Sequence, residues 1–175
     1  MEQIDQTIKD PSDLKSKLGI APLGSIPDLD KEDIINSLSD KKSVAWEAYL
    51  SIRTSLAFLT DHGVPRSFLL TSTRPNEGKS TSAFALAAVL ASTKKRILLI
   101  DGDMRNPSLH QMLGEENANG LSNYLAGEND LDKLIHKESA FGFDSMAAGP
   151  IPPNAAELLS SSRMSELVAK LADTY

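Results

Sequence analysis

The chain has 175 residues, the size of one ordinary domain, and 41% of them are hydrophobic, enough to supply a real core. Its net charge of −6 argues against a large sequence-independent attraction to nucleic acid or anionic lipid, and so against a DNA-packing role. With no cysteine there are no disulfides, thiolate zinc sites or thiol catalysis, which suits a reducing compartment with the cytoplasm as default.

In chain order, residues 1–41 read as a polar N-terminal arm carrying Pro11, Pro22 and Pro27, and residues 42–175 as the main domain. The N-terminus lacks the apolar core of a signal peptide, and no stretch has the roughly 18 apolar residues of a membrane span. Within the arm, "DPSDLKSKLG" predicts a short helix, with Pro11 and Ser12 at its start, Leu14 and Leu18 four apart, and Gly19 as its stop. "IAPLGSIP" predicts an extended segment. From Val44, "VAWEAYLSIRTSLAFL" predicts a four-turn helix with Trp46, Tyr49, Leu50, Arg53, Leu56 and Leu59 along one broad stripe. "DHGVPRS" breaks it.

An alternation follows: strand "SFLLTS", loop, helix from Ser80 to Ser92, strand "RILLIDGD", then a further loop and helix. Continuous apolar strands alternating with helices predict βαβ units, hence an α/β fold whose parallel sheet carries helices on both faces. The helix from Ser80 is alanine-rich on nearly every side, which suits close packing. Beyond Arg105, "GLSNYLAG" and "LDKLIHK" predict short helices, "FDSMAAG" a third strand, and "NAAELLSSSRMSELVAKLADTY" one or two closing helices.

The loop "TSTRPNEGKST" matches the second half of the phosphate-loop pattern G-x-x-x-x-G-K-[ST]: Gly78, Lys79 and Ser80 are in place, while Thr73 stands where the first glycine belongs. That half carries most of the chemistry. Backbone N–H groups at a helix N-terminus bind phosphate oxygens, the lysine neutralises charge, and the hydroxyl ligates Mg²⁺. The alternative is an ordinary strand-to-helix turn with a solvated lysine. Asp101 and Asp103 leave the carboxyl end of the next apolar strand, where open α/β sheets bind ligands. Two carboxylates there could hold Mg²⁺, and one could accept a proton from an attacking hydroxyl. Alone, D-x-D could equally end a strand in a polar turn. His62, His110 and His136 form no metal pattern.

The loop without its first glycine, "ILLIDGDMR", "GLSNYLAG" and "AAGPIPPNAAELLSSSRM" together resemble the cytoplasmic ATPase domain of bacterial tyrosine kinases of capsule and exopolysaccharide synthesis. The likeness runs from about Pro11 to the C-terminus, and the D-x-D-x-R and "GPIPPNAAELL" segments are its most specific parts. It implies a three-layer P-loop fold, with 42–175 as the ATP-binding kinase domain and 1–41 as a juxtamembrane-like arm. It implies autophosphorylation on tyrosine with ATP and Mg²⁺, in control of polysaccharide chain length and export. Glu77, Gly78, Lys79, Ser80 and Thr81 would bind the nucleotide, Ser80 with Asp103 and Asp101 would face Mg²⁺, and Lys79, Asp101 and Asp103 would be catalytic, Asp101 assisting the tyrosine hydroxyl. The implied location is the inner face of the cell membrane, through a membrane-embedded polysaccharide co-polymerase or a transmembrane segment of its own.

Three departures qualify the resemblance. The family's next apolar strand, ending in aspartate, is expected after a segment like "LVAKLADTY", so the likeness implies a truncated domain of marginal stability. The family's acceptor tail is rich in tyrosine, whereas this chain has Tyr49, Tyr124 and Tyr175. The family's E-x-x-R-x-x-R oligomerisation motif reads Glu47, Leu50, Arg53, leaving two of three charges for a ring or dimer interface. Two other readings stay open: a partition or positioning ATPase, disfavoured because Arg74 replaces that class's early loop lysine, and a non-catalytic regulatory module.

Overall fold

A computed structural model describes residues 11–29, 31–137 and 139–175; the first ten residues of the expected arm lie outside it. The chain opens with α1 (Pro11–Leu18), bounded as its proline and glycine predict. A second helix, α2 (Lys31–Ser37), was not legible in the sequence. It is short and mostly polar, but Ile34 and Leu38 are buried against the main core. Leu23 and Ile26 of the connecting segment pack there too, so the expected arm contributes apolar surface to the domain.

Helix α3 (Val44–Ala57) begins where Ser43 accepts a hydrogen bond from the Trp46 N–H at 3.1 Å, a side-chain cap for an otherwise orphan donor. Ala45, Trp46, Tyr49 and Leu56 are buried, whereas Leu59, expected on the same stripe, lies beyond the helix end and is exposed. Helix α4 (Lys79–Ala91) buries an unbroken run from Phe84 to Leu90. Such all-round burial is possible because its alanines let neighbours approach from every side. Phe84 meets Phe141 and Phe143 edge to face, with ring centroids 4.8 and 5.3 Å away.

Strands β1 (Leu98–Ile100) and β2 (Asp144–Met146) pair in parallel, with Leu98 opposite Asp144, Leu99 opposite Ser145 and Ile100 opposite Met146. Strand alternation sorts the core into two layers. Ile97, Leu99 and Phe143 join α2, α3 and α4 on one face. Leu98, Ile100 and Met146 join the other face, built by α6 (Leu121–Ala126), α7 (Ala155–Leu159) and α8 (Ser162–Ala172). Helices thus cover both faces of a parallel sheet, as the sequence predicts. Between the strands lie α5 (Leu109–Leu113) and, in place of the helix expected from "LDKLIHK", a 3₁₀ turn at Leu131–Lys133 followed by a bridge from His136 to Ser145.

The first expected strand is a correction. Residues 67–72 carry neither helix nor ladder, and Leu69 is 86% exposed. A strand exists only through a neighbour's N–H and C=O groups, and the described residues form a sheet of two strands only, β1 with β2. Among the described residues, no helix is long and apolar enough to cross a membrane.

Candidate nucleotide site

The loop of residues 71–78 ends at Gly78, which caps α4 with φ 78° and ψ 14°. This left-handed backbone is easy for glycine and strained for most other residues. Space is not the constraint, because a Cβ there would meet only the Ser82 Oγ, at 4.0 Å. No side chain caps α4, and the Ser82 N–H reaches the Gly78 carbonyl at 2.8 Å. The amides of Lys79, Ser80 and Thr81 are those that a first helical turn leaves without intrahelical acceptors, at the positive end of the helix dipole. That is an anion site in the making.

The second element is the turn after β1. The Asp101 N–H continues the ladder to the Met146 carbonyl at 2.9 Å. The buried Asp101 carboxylate then folds the chain over itself. Its Oδ1 accepts from the Asp103 N–H at 3.0 Å, and its Oδ2 accepts from the N–H groups of Ser108 and Leu109 at 2.9 and 3.0 Å. Asp101 thereby holds both the D-x-D turn and the start of α5. Asp103 points to the loop: its Oδ2 is 2.7 Å from the Lys79 Nζ, and its Oδ1 accepts from the Asn106 N–H at 3.0 Å. Burial pushes the Asp103 carboxyl up, but the Lys79 hydrogen bond, the Asn106 N–H and the lysine's charge outweigh it and hold the group below its ordinary range.

The structure brings together Gly78, Lys79 and Asp103, with the half-buried Ser80 and buried Thr81 in the same helical turn. Asp101 stands beside them with most of its acceptor capacity committed to the backbone. The Glu77 side chain turns away from the helix, back to Thr73 and Arg74. Glu47 and Arg53 lie on α3, the former exposed and the latter half-buried, and Leu50 between them packs on the core. Sequence reasoning missed one contact. Tyr49 packs as expected, yet its hydroxyl also reaches the Ser82 Oγ at 3.1 Å, joining α3 to the first turns of α4. No spacing signal could have shown it, since 33 residues separate the pair.

A nucleotide and a divalent cation fit this donor set. Among the described residues, no group of three or more His, Asp and Glu side chains is placed to hold a metal by itself. A hard cation such as Mg²⁺ does not require one, because it is commonly held by one or two protein oxygens together with substrate phosphates. Ser80, in the first turn of α4, and Asp103, paired with Lys79, carry oxygens of the hard kind such a cation takes.

Comparison with known proteins gives the family. Residues 68–175 match the family model of the CobQ/CobB/MinD/ParA nucleotide-binding domain. The chain is 38% identical over 139 residues to the tyrosine-protein kinase YwqD of Bacillus subtilis, spanning 79% of this chain and 59% of that protein. It is 37% identical over 145 residues to the tyrosine-protein kinase wzc of Salmonella typhimurium, spanning 83% of this chain and 20% of that protein. The solved kinase domain of Escherichia coli tyrosine kinase ETK superposes with a TM-score of 0.85 at 31% identity, covering 97% of this chain and 70% of that one. The BceF tyrosine kinase domain superposes with a TM-score of 0.82 at 29% identity, covering 97% and 74%. The chain spans less than two thirds of the curated relatives' length, yet most of the solved kinase domains. It belongs to the CobQ/CobB/MinD/ParA nucleotide-binding family, among its bacterial tyrosine-kinase domains.

Proposed function

We propose that this chain binds ATP with Mg²⁺ and transfers its γ-phosphoryl group to protein tyrosine, as the kinase domain of a system that controls polysaccharide chain length and export. The observation that carries the reading is the Lys79 ammonium 2.7 Å from Asp103, beside the uncapped first turn of α4. Phosphoryl transfer asks mainly for positioning and charge neutralisation. The first-turn amides would orient the phosphates and Lys79 would neutralise them. Ser80 and Asp103 would hold Mg²⁺, which neutralises phosphate charge when bound. Thr81 would approach the α-phosphate. A carboxylate offers about four acceptor sites. Three of those on Asp101 are filled by amides, which leaves one acceptor position for a tyrosine hydroxyl.

The acceptor would come from outside the three tyrosines present. Tyr49 is buried and bonded to Ser82. Tyr124 is buried beneath Arg163, whose guanidinium lies 4.8 Å from the ring centroid. The Tyr175 hydroxyl donates to the Asp144 Oδ2 at 2.6 Å and accepts from the Lys137 Nζ at 2.7 Å. We read the partner as a membrane-embedded co-polymerase or a membrane segment of a longer chain, which would place the domain at the inner membrane face. A ring or dimer would use Glu47 and Arg53. The test is incubation with ATP, Mg²⁺ and a tyrosine-containing peptide. Phosphotyrosine on the peptide is the expected product. Inorganic phosphate without phosphotyrosine would assign the positioning-ATPase reading instead, and neither product would assign the regulatory one.

A further inference from the structure

The loop lacks its opening glycine, yet its first residues are tied to its end by side-chain hydrogen bonds. The Glu77 Oε2 accepts from the Thr73 N–H at 2.9 Å and from the Arg74 N–H at 3.0 Å. The Thr73 hydroxyl lies 3.0 Å from the same oxygen and 3.2 Å from Oε1. The backbone hydrogen bond from Arg74, then the Thr73 hydroxyl, lowers the Glu77 carboxyl below its usual range, so the acceptor is charged at neutral pH. The carboxylate closes a ring from residue 73 to residue 77, and within that ring Asn76 takes a left-handed φ of 63°. Asparagine is among the few residues with a side chain that visit this region readily.

We propose that Glu77 is a positioning residue that takes over the work of the missing glycine: its carboxylate clamps Thr73 and Arg74 and so fixes the shape of the loop that presents Gly78 and Lys79 to phosphate. The inference rests on the nucleotide reading of the site but assigns Glu77 a role away from the ligand. In a glycine-opened phosphate loop, successive amides bind the anion itself. Here two amides at the loop's start already bind an internal anion. Phosphate recognition is thereby confined to the Gly78 end, where the first-turn amides and Lys79 lie. The hydroxyl of Thr73 is part of the clamp, which a glycine at this position could not supply. A carboxylate left unclamped this close to the phosphates could swing toward them and repel them, whereas one held by three donors is fixed at the far end of the loop.

Two readouts test the clamp separately from the nucleotide reading. Amide hydrogen exchange of the free chain reports on the ring: Glu77→Ala should remove the protection of the Thr73 and Arg74 N–H groups, and Glu77→Gln, which keeps an acceptor oxygen, should retain most of it. Calorimetric titration with ATP and Mg²⁺ reports on the consequence. Glu77→Ala should weaken binding on the order of tenfold, Glu77→Gln by far less, and Thr73→Val with Glu77→Ala should be no weaker than Glu77→Ala alone, because both act through one clamp. Wild-type affinity in folded Glu77→Ala, or tighter binding, would overturn the proposal. So would additive losses in the double variant, or equal exchange rates at Thr73 and Arg74 with and without Glu77. Wild type that binds no ATP, with both amides protected in wild type and in Glu77→Gln but not in Glu77→Ala, would refute the nucleotide reading and leave the clamp standing as a structural device.

Discussion

Replacing Lys79 by methionine separates the stability of the loop from its function. The Lys79 and Asp103 side chains remain 33% and 26% exposed, so their 2.7 Å pair works against solvent screening. Pairs of this kind contribute at most about 1 kcal/mol, which for a chain of this size shifts the unfolding midpoint by only about 2–4 °C. Toward a bound phosphate the same ammonium makes a charge-assisted hydrogen bond worth roughly 1.5–3 kcal/mol. Its loss also leaves Asp103 as an uncompensated negative charge beside the phosphates. Lys79→Met should therefore weaken ATP binding from about tenfold to over a hundredfold while the fold survives. Calorimetric titration with ATP and Mg²⁺, paired with thermal unfolding by circular dichroism, measures both quantities. Unchanged affinity would refute the phosphate role of Lys79, and a drop of more than about 10 °C would show that the pair is mainly structural. The pH dependence has a fixed sign. Because the folded carboxyl of Asp103 is depressed, its contribution is present above the unfolded pKa and disappears as pH falls through the folded value. Lys79→Met should shrink that acid-limb loss: the variant should lie below wild type near neutrality by the worth of the pair and converge on it in acid.

Other substitutions probe the remaining parts. Gly78→Ala places a Cβ in open space but on a left-handed backbone, so it should cost on the order of 1 kcal/mol in stability, and Gly78→Asn less; chemical denaturation reads the difference. Asp101→Asn is not a neutral removal of charge. Its NH₂ must face one of the amide donors of Asp103, Ser108 or Leu109, which should destabilise the turn by about 1–3 kcal/mol and reduce ATP affinity even before any transfer step is assayed. Arg163 donates through Nε and Nη2 to the Tyr124 carbonyl at 3.1 and 2.9 Å, and through Nη2 to the Glu128 carbonyl at 3.1 Å, while stacking on the Tyr124 ring. Arg163→Ala should lower unfolding free energy by about 2–3 kcal/mol, and Arg163→Lys should recover little of it, since a lysine lacks the planar fork.

Which features could be read from the sequence follows from where their causes lie. Helices α3 and α4 were legible because their signals are local: a periodic stripe from Trp46 to Leu56 in one, an alanine-rich run bounded by Gly78 in the other. Strands β1 and β2 were legible as short apolar runs ending in polar turns. The segment 67–72 has the composition of such a strand, but composition does not supply a neighbour, and pairing is a property of two segments. Helix α2 failed in the opposite direction, since Ile34 and Leu38 gain their burial from the core they share with α3 and α4 rather than from any pattern of their own. At the site, the GKS triplet and the D-x-D spacing located Gly78, Lys79, Asp101 and Asp103 at the same end of the sheet. They did not say which carboxylate meets the lysine. That is decided by Asp101 bonding forward to Ser108 and Leu109, a contact set by how the chain turns after the strand.

This division of labour has a consequence for how the site exchanges partners. If a phosphate draws the Lys79 ammonium away, Asp103 gives up one hydrogen bond and retains the one from the Asn106 N–H. Asp101 gives up none, because all three of its donors belong to the backbone of its own turn. The Asp103 carboxylate is then freed on Oδ2 without being released from its position, which is the state a hard cation needs if it is to be held between protein and phosphate oxygens. The cost of opening the site is thus one partly exposed ion pair, worth less than the interactions a charged phosphate offers in return. The turn that carries Asp103 does not have to refold to bind.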